Sequence, residues 1–199
     1  MSKHLLEVKY GLSAAELFDA INGRFRLKVA LEGAVAEFHM EKHIRRLVGS
    51  ELSRYEAHDL DGHPDFSLWL GKQASPLLAE CKNVRESGVK GGEAYRTDGK
   101  IVAYKVETQK TRAAKNDPTS RLYGIEQFHI LGVCLGKKTG NWSDFLFVRS
   151  TDLQRDAKNL HKLSVFQRVP LPDAKDLRPW YDDLGQLLKN IGDPPWKRE

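Results

Sequence analysis

Three side chains within HPDFSLWLGKQASPLLAECKN, from His63 to Asn83, are of the types that phosphate chemistry uses: Asp65, Glu80 and Lys82. Asp65 opens a strand-like run, DFSLWL, and Glu80 and Lys82 flank Cys81 in the next run, LLAECKNV, with the two acids 15 positions apart. Side chains alternate along a strand, so Glu80 and Lys82 share a face while Cys81 points to the other side. If the two runs pair as a hairpin, Asp65 and Glu80 converge. Two carboxylates at close range repel unless a cation sits between them, which makes a divalent metal the natural occupant. Lys82 beside them would orient or deprotonate a metal-bound water, or stabilise the phosphate as negative charge builds on it. The plainer alternative makes Asp65 a turn residue and Glu80 and Lys82 a surface pair.

The elements that must position these groups are readable in outline. Ser13 and Glu16 have capping-box spacing and predict a helix over 13–22. A longer helical pattern follows over Leu27 to Val48, with Gly33 inside it either for close packing or as a break, and bases gathered at its C-terminal end. Three strands are predicted at Ser53 to Leu60, Asp65 to Leu70 and Leu77 to Val84, separated by turn residues and forming a meander. Phe128 to Leu135 is nearly all apolar, as a strand covered on both faces requires, and Asp144 to Val148 offers another. The roughly 40 residues between these blocks suffice for a helical crossover to a parallel neighbour. Ile101 to Val106 fits helix and strand periods equally, so its type stays open. Beyond Asp152 the pattern predicts a basic helix, a short strand at Val165 to Val169 and a last helix over Leu177 to Ile191.

The Pro64-Asp65, then Glu80-x-Lys82 arrangement resembles the PD-(D/E)XK nuclease superfamily, to which many restriction endonucleases belong. The resemblance covers roughly residues 28–150. It implies an α/β fold with a restriction endonuclease-like α-β-β-β-α-β core, a central mixed sheet flanked by helices, and the acids and lysine at one sheet edge. Residues 1–27 would then be a helical extension and 151–199 a C-terminal one, all within a single domain. Members commonly add an acid from the preceding helix in a Gly-x-x-x-Glu context, which Gly33-Ala-Val-Ala-Glu37 matches; Glu41, one turn later, is the rival. The resemblance implies hydrolysis of DNA phosphodiesters using Mg2+, with Mn2+ able to substitute. Asp65, Glu80 and Glu37 would be ligands, joined by the carbonyl of Cys81.

A second cluster follows the Glu-x-Lys run. Gln109, Lys110, Arg112, Lys115, Asn116 and Arg121 place phosphate-binding cations and base-reading amides close together, with Tyr123 available to stack or pack. Double-stranded DNA is the expected partner. A type II restriction endonuclease acting as a homodimer, with 177–191 as a possible contact, is the leading expectation. A Holliday-junction resolvase, a repair or defence nuclease, and a non-catalytic DNA-binding or assembly module are the alternatives.

Composition fits these readings. The 199 residues carry 32 basic and 27 acidic side chains, a net charge of +5, which favours a polyanion only slightly. No run reaches the roughly 18 apolar residues of a membrane span, and the charged start lacks a signal peptide's apolar run, so a cytoplasmic protein is expected. Cys81 and Cys134 sit in apolar runs and read as reduced core thiols. No phosphate-cradling Gly-x-x-x-x-Gly-Lys loop occurs, so no nucleotide cofactor is expected. His39 and His43 are four apart but lack the His-Glu-x-x-His zinc pattern, and Trp142, Trp180 and Trp196 read as packing residues.

Overall fold

A computed structural model describes residues 3–60, 62–88, 92–110 and 118–191. The chain divides into two compact units, Met1–Val35 and Ala36–Glu199. The first is helical: α1 (Leu5–Tyr10), α2 (Ala14–Asn22) and the start of α3 (Phe25–Arg45). Ser13 caps α2 as its spacing predicts, accepting from the Glu16 N–H while the Glu16 carboxylate accepts the Ser13 N–H at 2.7 Å. Gly33 lies within α3 without breaking it.

In the second unit, α3 from Ala36 onward buries Ala36, Met40 and Ile44, one stripe at four-residue spacing. It lies in one apolar core with a five-stranded mixed sheet of order β1-β2-β3-β6-β7. Here β1 is Leu52–Ala57, β2 Phe66–Leu70, β3 Leu77–Asn83, β6 Ile130–Cys134 and β7 Phe145–Arg149. The first three form the expected antiparallel meander; β6 runs parallel to β3 and antiparallel to β7. All five residues of β6 are buried, as its continuous apolar sequence requires. Gly132 within it admits α3: a Cβ there would lie 2.8 Å from Met40 Sδ.

Alternation along the strands gives the sheet two unlike faces. Phe66, Leu68, Ala79, Cys81, Ile130 and Phe147 join α3 in one core. Leu131, Val133, Leu146 and Val148 join a second core with Val84, Val106 and Val169. The latter pair belongs to a three-stranded sheet of order β4-β5-β8, with β4 at Ala94–Thr97, β5 at Lys100–Glu107 and β8 at Phe166–Val169.

The mixed α/β class and mixed central sheet match the sequence expectation, and three details correct it. Among the described residues no α-helix occupies the crossover from β3 to β6; the β4–β5 hairpin stands there, followed by one 3-10 turn at Pro118–Arg121. Its two-residue turn, Asp98-Gly99, has φ of 49° and 77°, the twist-matching geometry that Asp-Gly dipeptides favour. The basic helix expected beyond Asp152 is absent, because short polar side chains satisfy the main chain in turns instead. Asp156 Oδ1 accepts from Lys158 and Asn159 N–H, and Asn159 Oδ1 from His161 N–H. The last helix is shorter than expected: α5 spans Leu184–Asn190, capped by Asp183. Before it, Tyr181 exchanges main-chain hydrogen bonds with Phe147 at 2.7 and 2.8 Å, so the chain adds a rung to β7 rather than coiling. The apolar side of α5, Leu184, Leu187 and Leu188, is spent on its own chain's core. A short helix, α4 (Gly136–Thr139), links β6 to β7. No helix among the described residues is long and apolar enough to cross a membrane.

Candidate active site

Asp65 stands one residue before β2, behind Pro64. Its carbonyl accepts the His58 N–H at 2.8 Å, one rung past the Ala57–Phe66 pair of the β1–β2 ladder. Its carboxylate acts on the other side: Oδ2 accepts the Cys81 N–H at 2.7 Å, just where the β2–β3 pairing ends at Phe66 and Ala79. The hairpin register therefore brings Asp65 to the level of Glu80 and Cys81, as the sequence spacing requires.

Glu80 is 4% exposed and Cys81 5%, on opposite faces of β3. Cys81 enters the core beneath α3, while Glu80 Oε1 receives the Lys82 ammonium and the Tyr123 hydroxyl, the latter at 2.5 Å. The Lys82 side chain keeps 26% of its surface, so the ion pair is open at the lysine end.

Glu37, from α3, shares the field of this group. Burial raises its carboxyl above the ordinary range, with Lys82 opposing and the charges of Glu80 and Asp59 adding to the rise. Asp65 is pushed up to about 7, first by burial and then by the Glu80 charge, against the pull of Lys82 and the Cys81 N–H. Burial alone would lower the Lys82 ammonium; the charges of Glu80, Tyr123 and Asp65 outweigh it and hold it well above its usual value. Burial likewise raises the Tyr123 phenol, despite Lys82. Three carboxylates thus act on one ammonium.

Such a group fits a divalent cation in kind: its donors are hard oxygens, and its excess negative charge is what a dication relieves. Among the described residues, no three His, Cys, Asp or Glu side chains are already gathered into a metal cage.

Of the two helix acids, Glu37 belongs to the group and Glu41 does not. Glu41 pairs with Arg45 at 2.8 Å and accepts the Tyr55 hydroxyl at 2.8 Å, bonds that outweigh its burial and lower its carboxyl. His39 and His43 both reach Ser143, through its hydroxyl and carbonyl at 3.0 Å, rather than one another's metal. Burial pushes both thiols up, Cys134 to about 11, and both are free.

The basic cluster lies partly in view. Gln109 bridges to Leu122, and Lys110 N–H donates to the Arg121 carbonyl at 2.8 Å while Arg121 Nε donates back to the Lys110 carbonyl at 3.0 Å. Arg112, Lys115 and Asn116 lie outside the described residues. Gln109 spends its amide on Glu107, which also pairs with Arg85, so its side chain braces β5. Lys110 joins the acid group indirectly, its ammonium 5.9 Å from the centroid of the Tyr123 ring and the Lys82 ammonium 5.7 Å from it.

Sequence reasoning missed three neighbours. Tyr123, available on sequence to stack or pack, donates its hydroxyl to Glu80. Asp59 adds to the negative field on Glu37. His58 flanks Asp65 through the main chain, while its ring meets the Ser67 hydroxyl at 2.9 Å and the His63 ring at 4.2 Å. The signal for Asp59 and His58 was proximity to Asp65 along the β1–β2 connection; Tyr123 carried none.

No protein-family model matches the chain, and no curated protein or solved structure matches it.

Proposed function

We propose that the chain is a divalent-cation-dependent nuclease of the PD-(D/E)XK type that hydrolyses DNA phosphodiesters, with a type II restriction endonuclease as the leading form. The observation that carries this reading is the meeting of Asp65 with the Glu80–Lys82 pair where β2 and β3 part, with Glu37 in their field. Sheet order supports it as well: a meander followed by a parallel neighbour is what the α-β-β-β-α-β core needs, although among the described residues a hairpin stands where the crossover α-helix is expected.

Asp65, Glu80, Glu37 and the Cys81 carbonyl would hold Mg2+, with Mn2+ able to substitute. Magnesium keeps several waters and takes one or two carboxylates beside phosphate oxygens, so a ready-made cage is not required. Bound there, it would withdraw charge from the phosphate and make water a better nucleophile. Lys82 stays protonated near neutral pH. Of the two roles open to it, offering positive charge to the phosphate is favoured over proton abstraction. Hydrolysis joins the water oxygen to phosphorus, breaks the bond to the leaving sugar oxygen, passes the water proton to solvent and returns one to the leaving oxygen.

Lys110 and Arg121 would hold backbone phosphates at the root of the segment that carries Arg112, Lys115 and Asn116. Cutting both strands with one site per chain calls for a homodimer. The cytoplasm, where such DNA lies, is the proposed location.

Plasmid incubated with the protein and Mg2+, beside Asp65→Asn and Lys82→Ala, tests the reading. Discrete bands lost in both variants support the restriction enzyme, and smearing points to a repair or defence nuclease. Cleavage confined to four-way junctions selects a resolvase. A non-catalytic DNA-binding module draws on one observation, that Glu80 Oε1 is already closed by Lys82 and Tyr123; identical inactivity of all three proteins, with DNA binding kept, selects it.

A further inference from the structure

Glu80 accepts two hydrogen bonds, and both fall on Oε1: one from the Lys82 ammonium, one from the Tyr123 hydroxyl. Among the described residues, no hydrogen bond reaches Oε2. A carboxylate held by a flexible ammonium alone keeps much of its freedom to turn. A rigid phenol aimed at the same oxygen removes that freedom, and a hydrogen bond to an ionised acceptor is about twice as strong as a neutral one.

The phenol is itself well held. Phe128 packs against its ring edge-on, with centroids 5.3 Å apart, and Phe128 is 1% exposed. The Tyr123 carbonyl accepts the Leu163 N–H at 2.9 Å. Two ammoniums, Lys82 and Lys110, lie near the ring. Along the chain, Tyr123 directly follows Arg121 and Leu122, which pair with Lys110 and Gln109.

We infer that Tyr123 is a positioning residue: by fixing Oε1 of Glu80 it leaves Oε2 as the oxygen offered to a divalent cation, and it ties that oxygen to the root of the basic segment. The inference rests on the nuclease reading of Glu80 as a cation ligand. It assigns to Tyr123 the part that outer partners of metal ligands play elsewhere, where they orient the ligand and their loss weakens metal binding by about 10–100-fold. Because one ring also carries Lys110, a phosphate that draws Lys110 away acts on the same side chain that holds Glu80.

The test is Mn2+ binding to the full chain, followed by the paramagnetic signal of the free ion, in wild type, Tyr123→Phe and Glu80→Gln, with folding checked by circular dichroism. Tyr123→Phe binding about 10–100-fold more weakly than wild type, with Glu80→Gln weaker still, supports the inference. Equal affinity in wild type and Tyr123→Phe, with Glu80→Gln impaired, overturns it and leaves the nuclease reading standing. Tighter binding by Tyr123→Phe also overturns it, since the phenol would then compete with the cation. If wild type and Glu80→Gln behave alike, the nuclease reading itself falls and the inference with it. Should Tyr123→Phe not fold, the tyrosine ultraviolet difference spectrum of wild type on adding Mn2+ decides: a shift lost in Glu80→Gln supports the inference, and a flat spectrum overturns it.

Discussion

The Asp65 carboxylate takes the place of a main-chain rung, accepting the Cys81 N–H at 2.7 Å just beyond the last β2–β3 pair. One side chain therefore extends the sheet and also sets a negative charge against Glu80. Asparagine would keep the acceptor and drop the charge; alanine would drop both. Asp65→Asn is expected to match or exceed wild-type stability at pH 8. Asp65→Ala should fall about 1–3 kcal/mol below the asparagine variant, the cost of a buried donor left without a partner. Urea unfolding of the three proteins measures this, and equal stability of the two variants would discount the Cys81 bond.

Asp65 titrates near 7 when folded against an ordinary value of 3.8, so between those values the folded chain binds more protons than the unfolded one. Its contribution to stability accordingly falls as pH rises through that window and stays at its lowest above 7. Glu37, also raised, acts in the same direction. Urea midpoints from pH 4 to 8 should decline more steeply in wild type than in Asp65→Asn. Parallel curves would contradict a raised Asp65.

A cation bound by these acids competes with their protons. Added Mg2+ should therefore raise the melting temperature more at pH 8 than at pH 6, by the mass-action gain of a ligand that binds only the folded state. Glu80→Gln should lose most of that gain. A shift of the same size at both pH values, or one unchanged in Glu80→Gln, would place the cation elsewhere.

Removing Lys82 leaves Glu80 buried with the phenol as its remaining hydrogen-bond partner. Lys82→Met is expected to cost about 3–5 kcal/mol, as breaking a buried pair usually does, and the double change with Glu80→Gln should recover much of the loss. Both proteins should be inactive. A single variant as stable as wild type would mean that the pair is effectively solvated.

Lys110→Ala should weaken DNA binding about equally for unrelated duplexes and lower the dependence of log affinity on log salt by about one. Fluorescence anisotropy with two duplex sequences at several salt concentrations checks this. A loss confined to one sequence would instead make Lys110 a base reader.

The meander was legible because DFSLWL and LLAECKNV are bounded by turn residues, and a hairpin of those runs allows one register that brings Asp65 to Glu80. The crossover was not. Ile101 to Val106 fits two periodicities, and the deciding signal, Asp98-Gly99 flanked by strand-forming residues, lies just outside that window. The helix expected beyond Asp152 failed for a local reason, since Asp156 and Asn159 bond to the main chain in turns. The Gly-x-x-x-Glu context favours Glu37 with Glu41 one turn later as the rival; Arg45 and Tyr55 separate them by capturing Glu41. Tyr123 meets Glu80 across 43 positions, a contact that no local pattern encodes.

The strand Ile130–Cys134 is paired on both sides and wholly buried, whereas Leu52–Ala57 at the sheet's rim has β2 as its one strand neighbour among the described residues and is mostly exposed. Amide protons of the former should exchange far more slowly than those of the latter, which are open to local fraying. Glu80 and Lys82 ride on the immediate neighbour of the slow strand, and Asp65 is tied through His58 to the fast one. The acid group thus straddles a seam in local stability, with one flank pinned and the other free to breathe at the expense of a few outer hydrogen bonds.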